Sequence, residues 1–186
     1  MTHLVLPDAD RHDQWAAMVL EFGAQQLHGS GSWEVDEEHR GSTSPVALQH
    51  LVAALLACGD PAAPRPSDRV PTDYFWIADG EDLVGFIAVR HRLNEFLLER
   101  GGHIGFSIRP SRRREGHASR ALEHALDHVA TLGVERALVT CKDDNVASAH
   151  VIERGGGVVD DVRHGERRYW IDVTGRAEGE AARARR

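Results

Sequence analysis

One stretch limits the choice of fold more than any other. It is an apolar segment over 102–108 followed by Arg109-Pro110-Ser111-Arg112-Arg113-Arg114-Glu115-Gly116-His117-Ala118-Ser119-Arg120. The first part has β-type residues, and beyond it Ala118, Ala121, Leu122, Ala125, Leu126, Val129 and Leu132 recur at helical spacing. A strand that turns directly into an amphipathic helix gathers unpaired backbone N–H groups at the positive end of a helix dipole. Such an end suits a phosphate or pyrophosphate, and the small residues Gly116 and Ala118 let a ligand approach the backbone. Two other phosphate-loop patterns are excluded: no Gly-Lys-Ser/Thr closes the stretch, and Gly-x-Gly-x-x-Gly is absent.

The 186 residues, 41% hydrophobic and 27% charged, suit one domain with a proper core. That domain is expected over 1–174, with a charged, Ala-rich tail at 175–186 that should fray. A formal charge of −7 speaks against nucleic acid as a partner, so the arginines of the turn are a local device. No run approaches a membrane span and no apolar signal segment opens the chain, so no membrane partner and a cytoplasmic location are expected. Cys58 and Cys141 have neither a disulfide framework nor metal-ligand spacing and read as reduced core residues.

Strands are predicted at 3–6, 74–78, 83–90, 102–108, 136–141, 158–162 and 167–173, and helices after Asp8 or Asp10, from Pro45, from about Ala118 and over 146–154. Asp79-Gly80-Glu81-Asp82 marks a hairpin turn. The segment 91–100 reads as a short helical turn or an irregular loop. The order is strand, two helices, antiparallel strands, crossover helix, strand, short helix, hairpin. This is an α/β (α+β) chain with a single mixed, mostly antiparallel sheet flanked by helices, and one parallel connection around the central helix.

Two motifs in this context resemble the GNAT superfamily of N-acetyltransferases. One is Arg113-Arg114-Glu115-Gly116-His117-Ala118 preceded by Ile108-Arg109-Pro110; the other is Asn145-Val146-Ala147-Ser148 at the next helix start. Glu153-Arg154-Gly155-Gly156 resembles the helix end that follows, and the stretches at 90–94 and 101–105 resemble a subgroup of predicted acetyltransferases. The resemblance implies a GNAT-like acyl-CoA acyltransferase fold, with acetyl-CoA as co-substrate and no metal. It implies that the backbone from Arg114 through Glu115, Gly116, His117 and Ala118 to Ser119 holds the pyrophosphate. Arg109, Arg113 and Arg114 border that cradle, and the amide-rich pantetheine arm would add like a strand to the backbone ending at Ile108. Asn145 would hydrogen-bond the arm, and Ser148 would cap its helix or touch the cofactor.

Acetyl transfer to an amine needs a base for the amine proton, an oxyanion donor and an acid for the leaving thiolate. Many relatives supply the acid as a Tyr in the helix after the Asn motif; here that position is Ile152. His103, on the strand where the family often places a catalytic carboxylate, is the candidate base, with Glu95, Glu99 and His91 as alternatives. His124 and His128 share a helix face, but no third ligand is evident, so they read as solvated and not as a metal site. Trp33 lies in the acidic run at 32–38, which would suit a cationic acceptor; a solvated loop with Trp33 docked on the core is the plainer reading. The expected function is acetyl-CoA-dependent N-acetylation of a primary amine, on a small molecule or a peptide, by direct attack on the thioester. A non-catalytic acyl-CoA-binding or regulatory module is the alternative, and monomer and homodimer are both compatible with the chain.

Overall fold

The computed structural model describes residues 1–176. Within them, β1 (Thr2–Val5), β2 (Thr72–Asp79), β3 (Asp82–Arg90), β4 (Ile104–Ile108), β5 (Arg136–Lys142), β6 (Val158–Arg163) and β7 (Glu166–Asp172) form one sheet in the order β1-β2-β3-β4-β5-β7-β6. Every neighbouring pair is antiparallel except β4 and β5, which run parallel around α4 (His117–Thr131). The predicted mixed, mostly antiparallel sheet with one crossover is what the chain forms. The part of the tail at 177–186 lies outside the described residues.

Local chemistry explains the elements. The side chain of Ser44 accepts the Ala47 N–H at 3.2 Å and Pro45 takes the first position of α2 (Pro45–Cys58), where a missing N–H costs nothing. Gly80 takes φ +60° in the two-residue link between β2 and β3, which only a residue without Cβ adopts freely. The ambiguous segment at 91–100 resolves into α3 (Glu95–Glu99), because the carboxamide oxygen of Asn94 accepts the Leu97 N–H at 2.9 Å.

Alternation along the strands divides the core in two. On one face α4 buries Ala121, Leu122, Ala125, Leu126 and Val129 completely, against Ile77, Ile87, Ile104 and Val139. Burial of each leucine there contributes about 2 kcal/mol. On the other face α1 (His12–Phe22) and α2 pack Trp15, Met18, Leu48 and Leu55 onto Tyr74, Trp76, Phe86 and Ala88. Trp33 docks partly buried on this second cluster, the plainer of its two expected positions.

His128 departs from expectation. It is not solvated: its Nε2 lies 2.7 Å from Asp73 Oδ2, an oxygen shared with His91 Nε2 at 2.8 Å, and its ring stands edge-on to Phe75. Periodicity showed which helix face carries His128 but not that the start of β2 brings the Asp73 carboxylate beside it.

Candidate active site

β4 and β5 begin as neighbours and then part. Their one registered pair is Ile104 with Val139, so the edge of β4 from Gly105 to Ile108 has no strand partner on the β5 side. The junction is clamped by His103, whose N–H donates to the Leu138 carbonyl at 2.6 Å and whose Nδ1 accepts the Leu138 N–H at 2.9 Å. Gly102 is required beside it: its φ is +60°, and a Cβ would stand 2.2 Å from the Leu138 oxygen.

His103 is thus buried, 5% exposed, and first burial and then the neighbouring Arg90 push its pKa down to about 4. With Nδ1 accepting, the proton of the neutral ring sits on Nε2, and neither nitrogen offers a lone pair. The other candidates named from sequence are also placed. His91 is turned onto Asp73, Glu99 pairs with Arg163 at 2.7 Å, and Glu95 stands exposed.

Below the fork lies the turn into α4. Arg114 (φ +66°) and Gly116 (φ +85°) adopt left-handed backbone, which aims successive amides outward. Among the described residues, none of the backbone N–H groups from 114 to 119 donates to a protein acceptor; the Arg120 N–H, to the Gly116 carbonyl, is the first that does. This row of free donors at the start of a 15-residue helix is an anion cradle that fits a pyrophosphate.

The side chains around the turn do something different from what their charges suggest. Arg109 is bound by Glu21 of α1, whose other oxygen accepts the Ser111 N–H at 2.6 Å. Arg113 donates to the Ile108 carbonyl at 2.9 Å and to Gln25. Arg112 holds Asp79 and Glu115, each at 2.9 Å. His117 is buried, its Nδ1 2.8 Å from Thr2 Oγ1 and its Nε2 3.1 Å from Glu115, so it offers a ligand its backbone and not its ring. Of the sequence-named arginines, Arg114 alone has no partner among the described residues. Asn145, the N-cap of α5 (Val146–Arg154), accepts the Ser148 N–H at 3.1 Å, which keeps its amide nitrogen free. Ser148 is therefore the capped residue rather than the cap. Ile152 is fully buried in the α4-side core, where it offers no proton.

The sequence marks the stretch between α1 and α2 as a loop but does not show that it rests on the sheet. At Gly29 (φ +83°) it lies directly on the sheet: a Cβ there would meet the Gly105 oxygen at 2.4 Å and Ile87 Cα at 2.9 Å. Ser107 Oγ donates to the His28 carbonyl at 2.8 Å and fastens the loop over β4. The exposed His28 ring then stands within electrostatic reach of Glu166, Lys142 and Arg90, with no hydrogen-bond partner among the described residues. Its pKa is lowered, chiefly by desolvation from the neighbouring chain, with Lys142 and Arg90 adding to the effect and Glu166 opposing it. Closely spaced glycines at 29 and 31 were the available signal, since they mark close backbone approach.

Beside this loop opens a cavity of about 690 Å³ whose wall includes Trp33, Glu34, Tyr74, Arg90 and Phe96. Glu34 is not a free anion: its Oε1 accepts from Trp33 and Arg69 at 2.9 Å each and from Tyr74 at 2.8 Å. Among the described residues no three His, Cys, Asp or Glu side chains gather as a metal site, and no helix is long and apolar enough to cross a membrane.

The model of the acetyltransferase (GNAT) family matches residues 48–157. No curated protein matches. Among solved structures, Mycobacterium smegmatis RimJ in complex with CoA-disulfide superposes with TM-score 0.67 at 16% identity, over 97% of this chain and 89% of that one. RimL, a ribosomal L7/L12 alpha-N-protein acetyltransferase in complex with coenzyme A, gives 0.64 at 17%, over 92% and 93%. The microcin C7 self-immunity acetyltransferase MccE, in complex with acetyl-CoA and AMP, gives 0.61 at 11%, over 92% of each chain. At such identities the likeness is one of fold.

Proposed function

Because this chain belongs to the GNAT family of acetyltransferases, we propose that it transfers the acetyl group of acetyl-CoA to a primary amine. One observation carries the reading: six successive free amides at the start of α4 lie at the foot of a fork whose strands pair only once. The unpaired edge over 105–108 offers N–H and C=O groups to the amides of a pantetheine arm, as a strand would. The neighbours solved with CoA or acetyl-CoA support acetyl-CoA as the co-substrate. Acetyl-CoA supplies an activated thioester carbonyl when bound.

In this reading the chain's own residues divide the work. The amides of 114–119 hold the pyrophosphate, Arg114 adds charge, and Asn145 Nδ2 donates to the arm. His28 is the base: it is exposed beside the fork and has no hydrogen-bond partner among the described residues, whereas His103 clamps the sheet. The amine nitrogen bonds to the acetyl carbon as the carbon–sulfur bond breaks. The amine proton passes to His28, and the thiolate takes its proton from water, because Ile152 has none to give.

Ile152 also motivates the second reading, a non-catalytic acyl-CoA-binding module of the same fold. Thiol release from acetyl-CoA over a panel of amines separates the two. The expected result is turnover with at least one amine and about a hundredfold loss of kcat in His28→Ala. No release with any amine, despite a CoA-induced rise in Tm, would establish the binding module.

A further inference from the structure

Arg90, the last residue of β3, is part-buried, and its Nη1 donates to the carbonyls of Gly101 and Gly102 at 3.0 Å each. Those two bonds leave Nε and Nη2 without an acceptor among the described residues. Glu34 lines the same cavity but is taken up by Arg69, Tyr74 and Trp33, and makes no ion pair with Arg90. Nε and Nη2 are not sealed inside the protein, so their three N–H groups stay open to the cavity that Arg90 lines. The Nε–Nη2 edge has the geometry that binds a carboxylate through two parallel hydrogen bonds.

The position of this edge is informative. Arg90 Nη2 lies 3.6 Å, and the Gly29 nitrogen 3.7 Å, from where a Cβ of Gly105 would stand. Gly105 is the first residue of the unpaired edge of β4. A carboxylate paired with that edge of Arg90 would therefore lie beside the fork, with an amine on its adjoining carbon next to the unpaired edge of β4. The remainder of such a molecule faces Trp33, Tyr74, Leu97 and the 66%-exposed Phe96 across the cavity. Its volume, about 690 Å³, lies within the range of small-molecule sites.

We propose that Arg90 and the cavity beside it form an acceptor subsite for an amine carrying a carboxylate on the adjoining carbon, an α-amino acid with an apolar or aromatic side chain. The proposal rests on the acetyltransferase reading and narrows its acceptor. It replaces the cationic acceptor that the acidic run at 32–38 suggested, because Glu34 is neutralised and Glu37 and Glu38 are exposed.

The test compares each of the common α-amino acids with its primary amide, which keeps the amine and side chain and loses the carboxylate. The expected result is at least one apolar amino acid acetylated with a kcat/KM about a hundredfold above that of its amide, since a site built around a charged group discriminates strongly against its loss. Arg90→Gln should collapse that ratio toward one. Because Arg90 also holds two carbonyls, the variant is judged only if CoA still raises its Tm. If it does not fold, the wild-type ratio decides alone. Calorimetric titration of the CoA-saturated protein with the same pairs reads binding without turnover. Amides equal to acids in both assays would overturn the proposal while leaving acetyl transfer standing. Acids that bind preferentially without thiol release would instead count against the acetyltransferase reading.

Discussion

The clamp at the head of the fork makes a quantitative prediction about His103. Its pKa is displaced from an ordinary 6.5 to about 4, chiefly by burial and then by the Arg90 charge. At about 1.4 kcal/mol per pH unit, that displacement is worth about 3 kcal/mol. The folded chain keeps the ring neutral, whereas the unfolded chain protonates it below pH 6.5. This stability is therefore complete above pH 6.5 and is lost as the pH falls through about 4. His103→Asn is the informative variant, since its side-chain oxygen can still accept the Leu138 N–H but cannot titrate. Urea unfolding at pH 7, 6, 5 and 4 should show wild type losing about 3 kcal/mol more than His103→Asn, with contributions from other histidines cancelling in the difference. His103→Ala, which orphans the buried N–H, should lose about 2–3 kcal/mol already at pH 7. Parallel pH curves for wild type and His103→Asn would refute the clamp. So would a hundredfold fall in kcat for His103→Asn with stability and CoA affinity intact, which would return His103 to the role of base.

Two glycines test the remaining geometry. Gly116→Glu places a carboxylate among the free amides, at a φ of +85° that strains any side chain, and should weaken CoA binding at least tenfold by calorimetry; an unchanged Kd would remove the cradle. Gly29→Ala sets a Cβ 2.4 Å from the Gly105 oxygen at φ +83° and should cost about 2–4 kcal/mol in urea unfolding, with a higher KM for the amine. Loss of less than about 0.5 kcal/mol with unchanged kinetics would show that the loop does not rest on the sheet as described.

The cradle was the most legible part of the site because it is contiguous. A backbone turn built from Pro110, Gly116 and the helix after it carries its own signal, and the free amides follow from helix geometry alone. The arginines that drew attention to it were misleading in detail. Arg109 and Arg113 answer Glu21 of α1 and Gln25 just beyond that helix, each 88 positions away, and no local pattern encodes such a pairing. His117 was expected to serve through its backbone, and its ring, held inward by Thr2 of β1, leaves that N–H free.

By itself, then, the sequence determined the element order, the parallel crossover, the phosphate-type turn and the family, because these depend on short-range periodicity and contiguous motifs. The tertiary structure decided what each histidine meets. His103 and His28 are equally plain in the chain, yet Leu138 occupies one and the loop over Gly105 exposes the other. It also decided the cavity that Arg90, Glu34 and Trp33 line together from distant segments of the chain. The physical reason is that a proton-transfer group or a specificity group is defined by what its remaining valences meet. Those partners are assembled by packing two faces of one sheet, not by neighbours along the chain.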